Sequence, residues 1–216
     1  MRRSRRPQQS GATIIEFTLS LAFLVPLLIG TFVFGFRLVQ AQQVDQITRD
    51  LAHMYSRGIE FNTSAASEAV SLAGQFGLSS GGNAALIFST ISLATTSDCQ
   101  AFNGTNTCPN LGKPVFNEQI AIGNVTANAS VFGTPVSSGT LPATTPAITG
   151  VSDDYSTTVT SAAQGGQSWA LANGFSNVVT LTSGQVVYVV EMFDHTPALN
   201  VGGITGAPLV YSRAIF

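Results

Sequence analysis

The chain has 216 residues, enough for one ordinary domain plus a membrane segment and too few for two domains and a span. Its nine basic and eleven acidic residues give a formal charge of -2, but four of the basic ones, Arg2, Arg3, Arg5 and Arg6, crowd the extreme N-terminus. Without residues 1–11, five basic side chains face eleven acidic ones, a balance of -6, which argues against a body that attracts nucleic acid.

From Ala12 to Phe36 the chain reads ATIIEFTLSLAFLVPLLIGTFVFGF, a run whose only charge is Glu16. As a helix it covers roughly 37 Å at about 1.5 Å per residue, enough to cross a hydrocarbon core of about 30 Å with some tilt. A transmembrane helix over 12–36 is therefore predicted, preceded by a basic leader over 1–11. The arginines ahead of the run are denser than Arg37, Arg49 and Arg57 behind it, so the positive-inside bias puts the N-terminus in the cytoplasm. A cleaved secretory signal has a shorter apolar run with its small-residue cut site behind it. Here the run is longer, and the small residues Ser10-Gly11-Ala12 come first. Pro26 predicts a kink or a loosened turn past the middle of the span.

A carboxylate near the bilayer centre costs about 2.5–3.5 kcal/mol, less toward an interface, which makes Glu16 a candidate functional group. A cut after Gly11 would supply a cationic partner, because Ala12 would then carry a free α-amine four residues earlier on the same helix face. The plainer reading leaves Glu16 solvated at the membrane interface.

Past Arg37, Val44, Ile47, Leu51 and Met54 recur at helical spacing between polar residues, which predicts an exported continuation of the helix over 37–58, stopped at Gly58. Residues 59–216 then form the head. Thr63 or Ser64 caps a short helix with Ala69, Leu72, Ala73 and Phe76 on one face, ending at Gly77. Strand patterns follow at Ala85–Ala94, where Ile87, Ile91 and Leu93 share a face, at Pro114–Gly123 and at Val125–Phe132. Residues 133–150 are dominated by Gly, Pro, Ser, Thr and Ala with no apolar period, and read as an exposed loop. The strongest strand, Gln185–Asp194, is apolar on both faces, as a sheet interior packed on a helix requires. Glu191 interrupts it with no visible partner. Pro208–Phe216 is the last strand candidate. The expected fold is α+β, an antiparallel sheet laid against the N-terminal helix.

Only two cysteines occur, Cys99 and Cys108, in the polar stretch DCQAFNGTNTC. In an exported domain their closeness favours a disulfide over two free thiols. His53 and His195 lie far from them, so no metal site is expected. Walker, HExxH, C-x-x-C and G-x-S-x-G motifs are missing, and neither enzymatic activity nor a cofactor is expected. Asp153-Asp154 reads as a solvated loop pair and Asp194-His195 as a polar strand end. The glycosylation-like triplets at Asn103, Asn124 and Asn128 are too common in such chains to carry weight.

RRPQQSG followed by ATIIEF resembles the leader of type IV pilin-like proteins, and with NEQIAIGN, FGTP and GQVVYVVEMFDHTPAL further on the chain resembles the TadE-like minor pilins or pseudopilins. The resemblance implies that a prepilin peptidase cuts between Gly11 and Ala12 on the cytoplasmic side. Glu16 then stands at mature position five, where that family carries its glutamate, facing the amine of a neighbouring subunit. It also implies a pilin-like head in the periplasm, an anchor in the bacterial inner membrane, and partners comprising the lipid bilayer and other proteins of a tight-adherence (Flp-type) pilus. The rival reading is a membrane-anchored binding or adhesion protein using the Cys99–Cys108 region and the 133–150 loop. Trp169, the sole tryptophan, gives it no sugar-stacking platform.

Overall fold

The computed structural model describes residues 10–59, 73, 76–79, 81–103, 105–107, 110–125, 128–134, 171–195 and 209–216. The predicted helix from Thr63 or Ser64, most of the 133–150 loop, Cys108, Asp153-Asp154 and Trp169 lie outside the described residues. Among the described residues the elements are α1 (Ser10–Ser56), β1 (Ala84–Leu93), α2 (Thr96–Asn103), β2 (Pro114–Gly123), the 3₁₀ turn Phe175–Asn177, β3 (Val186–Asp194) and β4 (Val210–Ile215). The chain divides into two compact units, the first taking α1 up to Gln40 and the second beginning at Ala41.

In the first unit α1 presents its apolar side chains outward all round: Ile14, Ile15, Phe17, Leu19, Phe23, Leu24, Leu27 and Phe34 are all exposed. An 18-residue window reaches a mean hydropathy of 2.3 with none of it buried, the surface of a membrane-type helix rather than of a core helix. Two of its hydroxyls are satisfied within the helix, Thr18 donating to the Ile14 carbonyl and Thr31 to the Leu28 carbonyl, both at 2.8 Å. That internal pairing suits a medium with no water to accept the hydroxyl proton. Helix α1 runs without a break through Pro26, as membrane helices often do.

In the second unit the same helix becomes amphipathic. Val44, Thr48, Leu51, Ala52 and Tyr55 are buried at helical spacing, with Ile47 and Met54 half-buried beside them. Against them pack Leu86 and Phe88 from β1, Ile120 and Ile122 from β2, Val190 and Met192 from β3, and Ala214 from β4. Each large side chain buried this way stabilises the head by about 1.5–3 kcal/mol. Thr48 interrupts the stripe without cost because its hydroxyl donates to the Val44 carbonyl at 2.7 Å. Helix α1 stops at Gly58, whose φ of +81 reverses the chain with no side chain to strain it.

The sheet order is β2-β1-β3-β4 and every neighbouring pair is antiparallel. The expected α+β class is the observed one. Strands β1 to β4 coincide with four of the five predicted strands to within two residues. One register shift interrupts the β1–β2 ladder between Thr90 and Ile91. At the other end of that ladder Gly123 is required, since a Cβ there would lie 2.4 Å from the Ala84 carbonyl oxygen.

The predicted strand at Val125–Phe132 is absent among its described residues. Its polar side chains take backbone partners instead: Asn128 Nδ2 donates to the Asn124 carbonyl at 3.1 Å and Ser130 Oγ accepts from the Phe132 N–H at 3.2 Å. Residues 128–134 instead form a strap over the sheet face that points away from α1. Phe132 fills a second core there with Ile91, Phe116, Ala172, Phe175, Leu181, Val187 and Val189. Both faces of the sheet are thus covered, which explains why β3 is apolar on both sides.

Candidate functional site

Gly11 and Ala12 fall in the first turn of α1. Glu16 lies four residues past Ala12, about one helical turn and roughly 6 Å along the axis. It is exposed, flanked by exposed Ile14, Ile15 and Phe17, and has no partner among the described residues. A single carboxylate on an otherwise lipid-compatible surface is stable only near an interface or when a second molecule brings a cation to it. Sequence spacing and helix geometry therefore place the two parts of the predicted site together, on one helix within one turn.

Cys99 lies in α2, fully buried and disulfide-bonded. Helix α2 is short but firmly started. Asp98 accepts from the Thr95 backbone N at 2.7 Å and from its hydroxyl at 2.6 Å, while the Asp98 N–H turns back to Thr95 Oγ1 at 3.4 Å. Among the described residues no three His, Cys, Asp or Glu side chains converge as metal ligands would.

His195, Glu191 and Gln119 of the head have structural partners. His195 Nε2 lies 2.8 Å from Asn128 Oδ1, and the His195 N–H reaches the Asn83 carbonyl at 2.8 Å, so the Asp194-His195 pair closes the sheet end. Glu191 is fully buried, and the partners its sequence context did not reveal are supplied by the strap and by β4. Its carboxylate accepts from the Ser130 hydroxyl, from the Val131 N–H at 3.2 Å and from the Tyr211 hydroxyl at 2.8 Å. Nearby, Gln119 Nε2 donates to Ser89 Oγ at 3.2 Å and to the Gly133 carbonyl at 3.1 Å, and the Arg213 guanidinium lies over the Phe132 ring at 5.1 Å.

Two phenols report the tightness of this packing. Burial pushes the Tyr55 hydroxyl well above its ordinary value of 10.0, with the Glu118 charge acting the same way, and the group bonds Thr90 Oγ1 at 2.7 Å and Glu118 Oε2 at 3.1 Å. Tyr211 is raised as well, by burial first and then by the adjacent Glu191 charge. An unfolded tyrosine ionises near 10 while these two stay neutral, so their contribution to stability is complete below pH 10 and is lost as pH rises above it. The melting temperature of the head should fall between pH 10 and pH 12, and Tyr55→Phe should flatten that fall while costing about 1 kcal/mol at neutral pH. An equally steep fall in Tyr55→Phe would remove Tyr55 as its source.

The class of protein defined so far is one in which an N-terminal membrane-type helix continues into an α+β head. Within that class, the family described as TadE-like protein matches residues 11–53, which begin at Gly11 and include Glu16 and most of the stripe that packs on the sheet. This segment is TadE-like, which supports a relation to the Tad pilus. Comparison with curated proteins and with solved structures gave no match.

Proposed function

We propose that this protein is a minor pilin or pseudopilin that takes part in assembling a tight-adherence pilus. The observation that carries the proposal is the coincidence of the TadE-like match with the helix holding Gly11, Ala12 and Glu16 at one-turn spacing. In this reading a prepilin peptidase removes residues 1–11 at the cytoplasmic face of the bacterial inner membrane. The mature helix stays in the bilayer and the head faces the periplasm. The role is structural, not enzymatic.

The mechanism is helix packing. Glu16 attracts the Ala12 amine of a neighbouring subunit, and removal from water strengthens that pair once the helices close around it. Gly30 and Gly35 leave open space beside α1, and a hollow of about 340 Å³ lined by Thr31, Phe32, Gly35, Phe36 and Val39 offers room for side chains of a second helix. In the head, the bond of Cys99 is assigned to Cys108, closing a small loop in an oxidising compartment.

One intact-mass measurement on membrane-extracted protein tests both assignments. Cells with the peptidase should yield a chain beginning at Ala12 and two hydrogens lighter than its reduced form; cells without it should yield the uncut chain. A start at Met1 in both strains, or a cut beyond Phe36, would sink the pilin reading.

A further inference from the structure

We propose that the end of the head at which α1 enters it docks on the bilayer surface, with Val125 and Leu209 seated at the boundary between lipid headgroups and acyl chains. Strand β4 runs beside the helix in the same direction. Ser212 donates to Asp45 Oδ1 at 3.0 Å, and the ring centroids of His53 and Phe216 are 4.2 Å apart. These contacts are eight residues apart on the helix and four on the strand, about 12 Å and about 13 Å, so strand and helix advance together. Leu209 precedes Ser212 by three residues, roughly 10 Å, while Ala41 precedes Asp45 by four helical residues, roughly 6 Å. Leu209 therefore reaches past the point of entry. The apolar run of α1 ends at Phe36, five residues or roughly 7 Å before Ala41, and a headgroup region of about 5–7 Å begins there.

The sheet brings a second apolar side chain to that end. Antiparallel pairing sets Asn124, Ala84, Asp194 and Val210 in one row across the four strands, the Asn124 N–H reaching the Ala84 carbonyl at 2.9 Å. The next row outward is Val125, Asn83, His195 and Leu209. Its two apolar members lie at the two sides of the sheet, Leu209 47% and Val125 40% exposed. The segments that supply the row carry no charge beyond the buried Asp194, for Asp, Glu, Lys and Arg are missing from 69–97, 119–152 and 196–212. Asp45, one turn into the head, is paired with Arg49 at 2.9 Å. Asp98 and Lys113 stand at the opposite end, past β1 and before β2. An uncharged rim with apolar side chains can enter the interfacial zone without stripping water from an ion. Lipid is the occupant this selects, because a second copy anchored in the same membrane meets the flanks of the head and not the end turned to the bilayer. The contact rests on α1 spanning the membrane, as the proposed function does, and not on cleavage at Gly11 or on Glu16.

The test uses the full-length protein in phosphatidylcholine vesicles. An environment-sensitive fluorophore is attached to Leu209→Cys, Val125→Cys, Val186→Cys or Leu27→Cys, with the unsubstituted protein, whose Cys99 is bonded, as the blank. Lipids carrying a nitroxide high or deep on the acyl chain serve as quenchers, and circular dichroism checks that each variant folds. Labels at Leu209 and Val125 are expected to emit to the blue of the label at Val186 and to lose most of their emission to the high nitroxide. Val186 begins β3 at the far end of the sheet and is similarly exposed, so its label should keep its emission. The label at Leu27, quenched by the deep nitroxide, reports the span itself. Quenching at Leu27 with none at Leu209 and Val125 would overturn the docking and leave the span standing. No quenching at Leu27 would remove the span, and this proposal with it. A blue shift at Leu209 and Val125 that comes without quenching and fades as protein is diluted in lipid would assign the surface to a second copy and also overturn the proposal.

Discussion

Gly11→Leu is expected to leave essentially all of the protein uncut, with Met1 or Arg2 rather than Ala12 at its start. A peptidase that reads a small residue at the cut must bring the backbone close, and a leucine side chain fills that approach where a methyl group nearly fits. Gly11→Ala should therefore be cut substantially, and the contrast separates a steric block from a general loss of membrane insertion. The companion substitution, Glu16→Ala, acts at a later step. Its helix is more apolar than the original and should insert and be cut normally. Pilus output should nonetheless fall about tenfold or more, because each subunit loses its charge-assisted contact to the next amine and the loss repeats at every addition. Glu16→Gln keeps size and polarity without charge and should sit close to Glu16→Ala. Normal piliation in both Glu16 variants, with cutting intact, would rule out the proposed pairing of carboxylate and amine.

Much of this architecture is legible in the residues because the signals are local. The apolar run from Ala12, the stripe Val44, Ile47, Leu51 and Met54, and the alternating strands each record a helix or strand period that tertiary packing then obeys. Gly123 and Gly58 mark ends where only glycine fits. What is not legible is what depends on contacts between distant segments. Val125–Phe132 has a strand-like composition, yet Asn124 and Asn128 hold its backbone in turns and Phe132 is drawn into a core whose other members come from 91 to 189. Nothing near Asn128 in the sequence announces His195 as its partner. The candidate processing site is the reverse case. Gly11, Ala12 and Glu16 lie within one turn of a single helix, so their spacing in sequence is already their spacing in space.

Glu191 is where that difference has its largest energetic consequence, and Glu191→Ala is expected to destabilise the head by about 2–4 kcal/mol, as the loss of one or two satisfied buried groups does. Three donors lose their acceptor together: the Ser130 hydroxyl, the Val131 N–H and the Tyr211 hydroxyl. Ser130 is buried and has little access to water, so its hydroxyl carries most of the penalty, whereas Val131 and Tyr211 are partly solvated and recover some of theirs. The strap from 128 to 134 then rests on Phe132, the Gln119 bond to Gly133, the Asn173 N–H bond to the Phe132 carbonyl and the Asn128–His195 contact. Glu191→Gln retains one carbonyl acceptor and adds a donor that faces other donors, so it should cost less, about 1–2 kcal/mol. Denaturant unfolding of the full-length protein in detergent, followed by circular dichroism, reads both values. Because Ser130 and Glu191 act as one unit, Ser130→Ala combined with Glu191→Ala should cost less than the two changes summed, by about 0.5–3 kcal/mol. Strict additivity would mean that the carboxylate does not hold the strap through Ser130. If, in addition, Glu191→Ala left stability unchanged, the buried carboxylate would have no structural role. Cutting after Gly11 should proceed normally in all these variants, since the network lies wholly within the head.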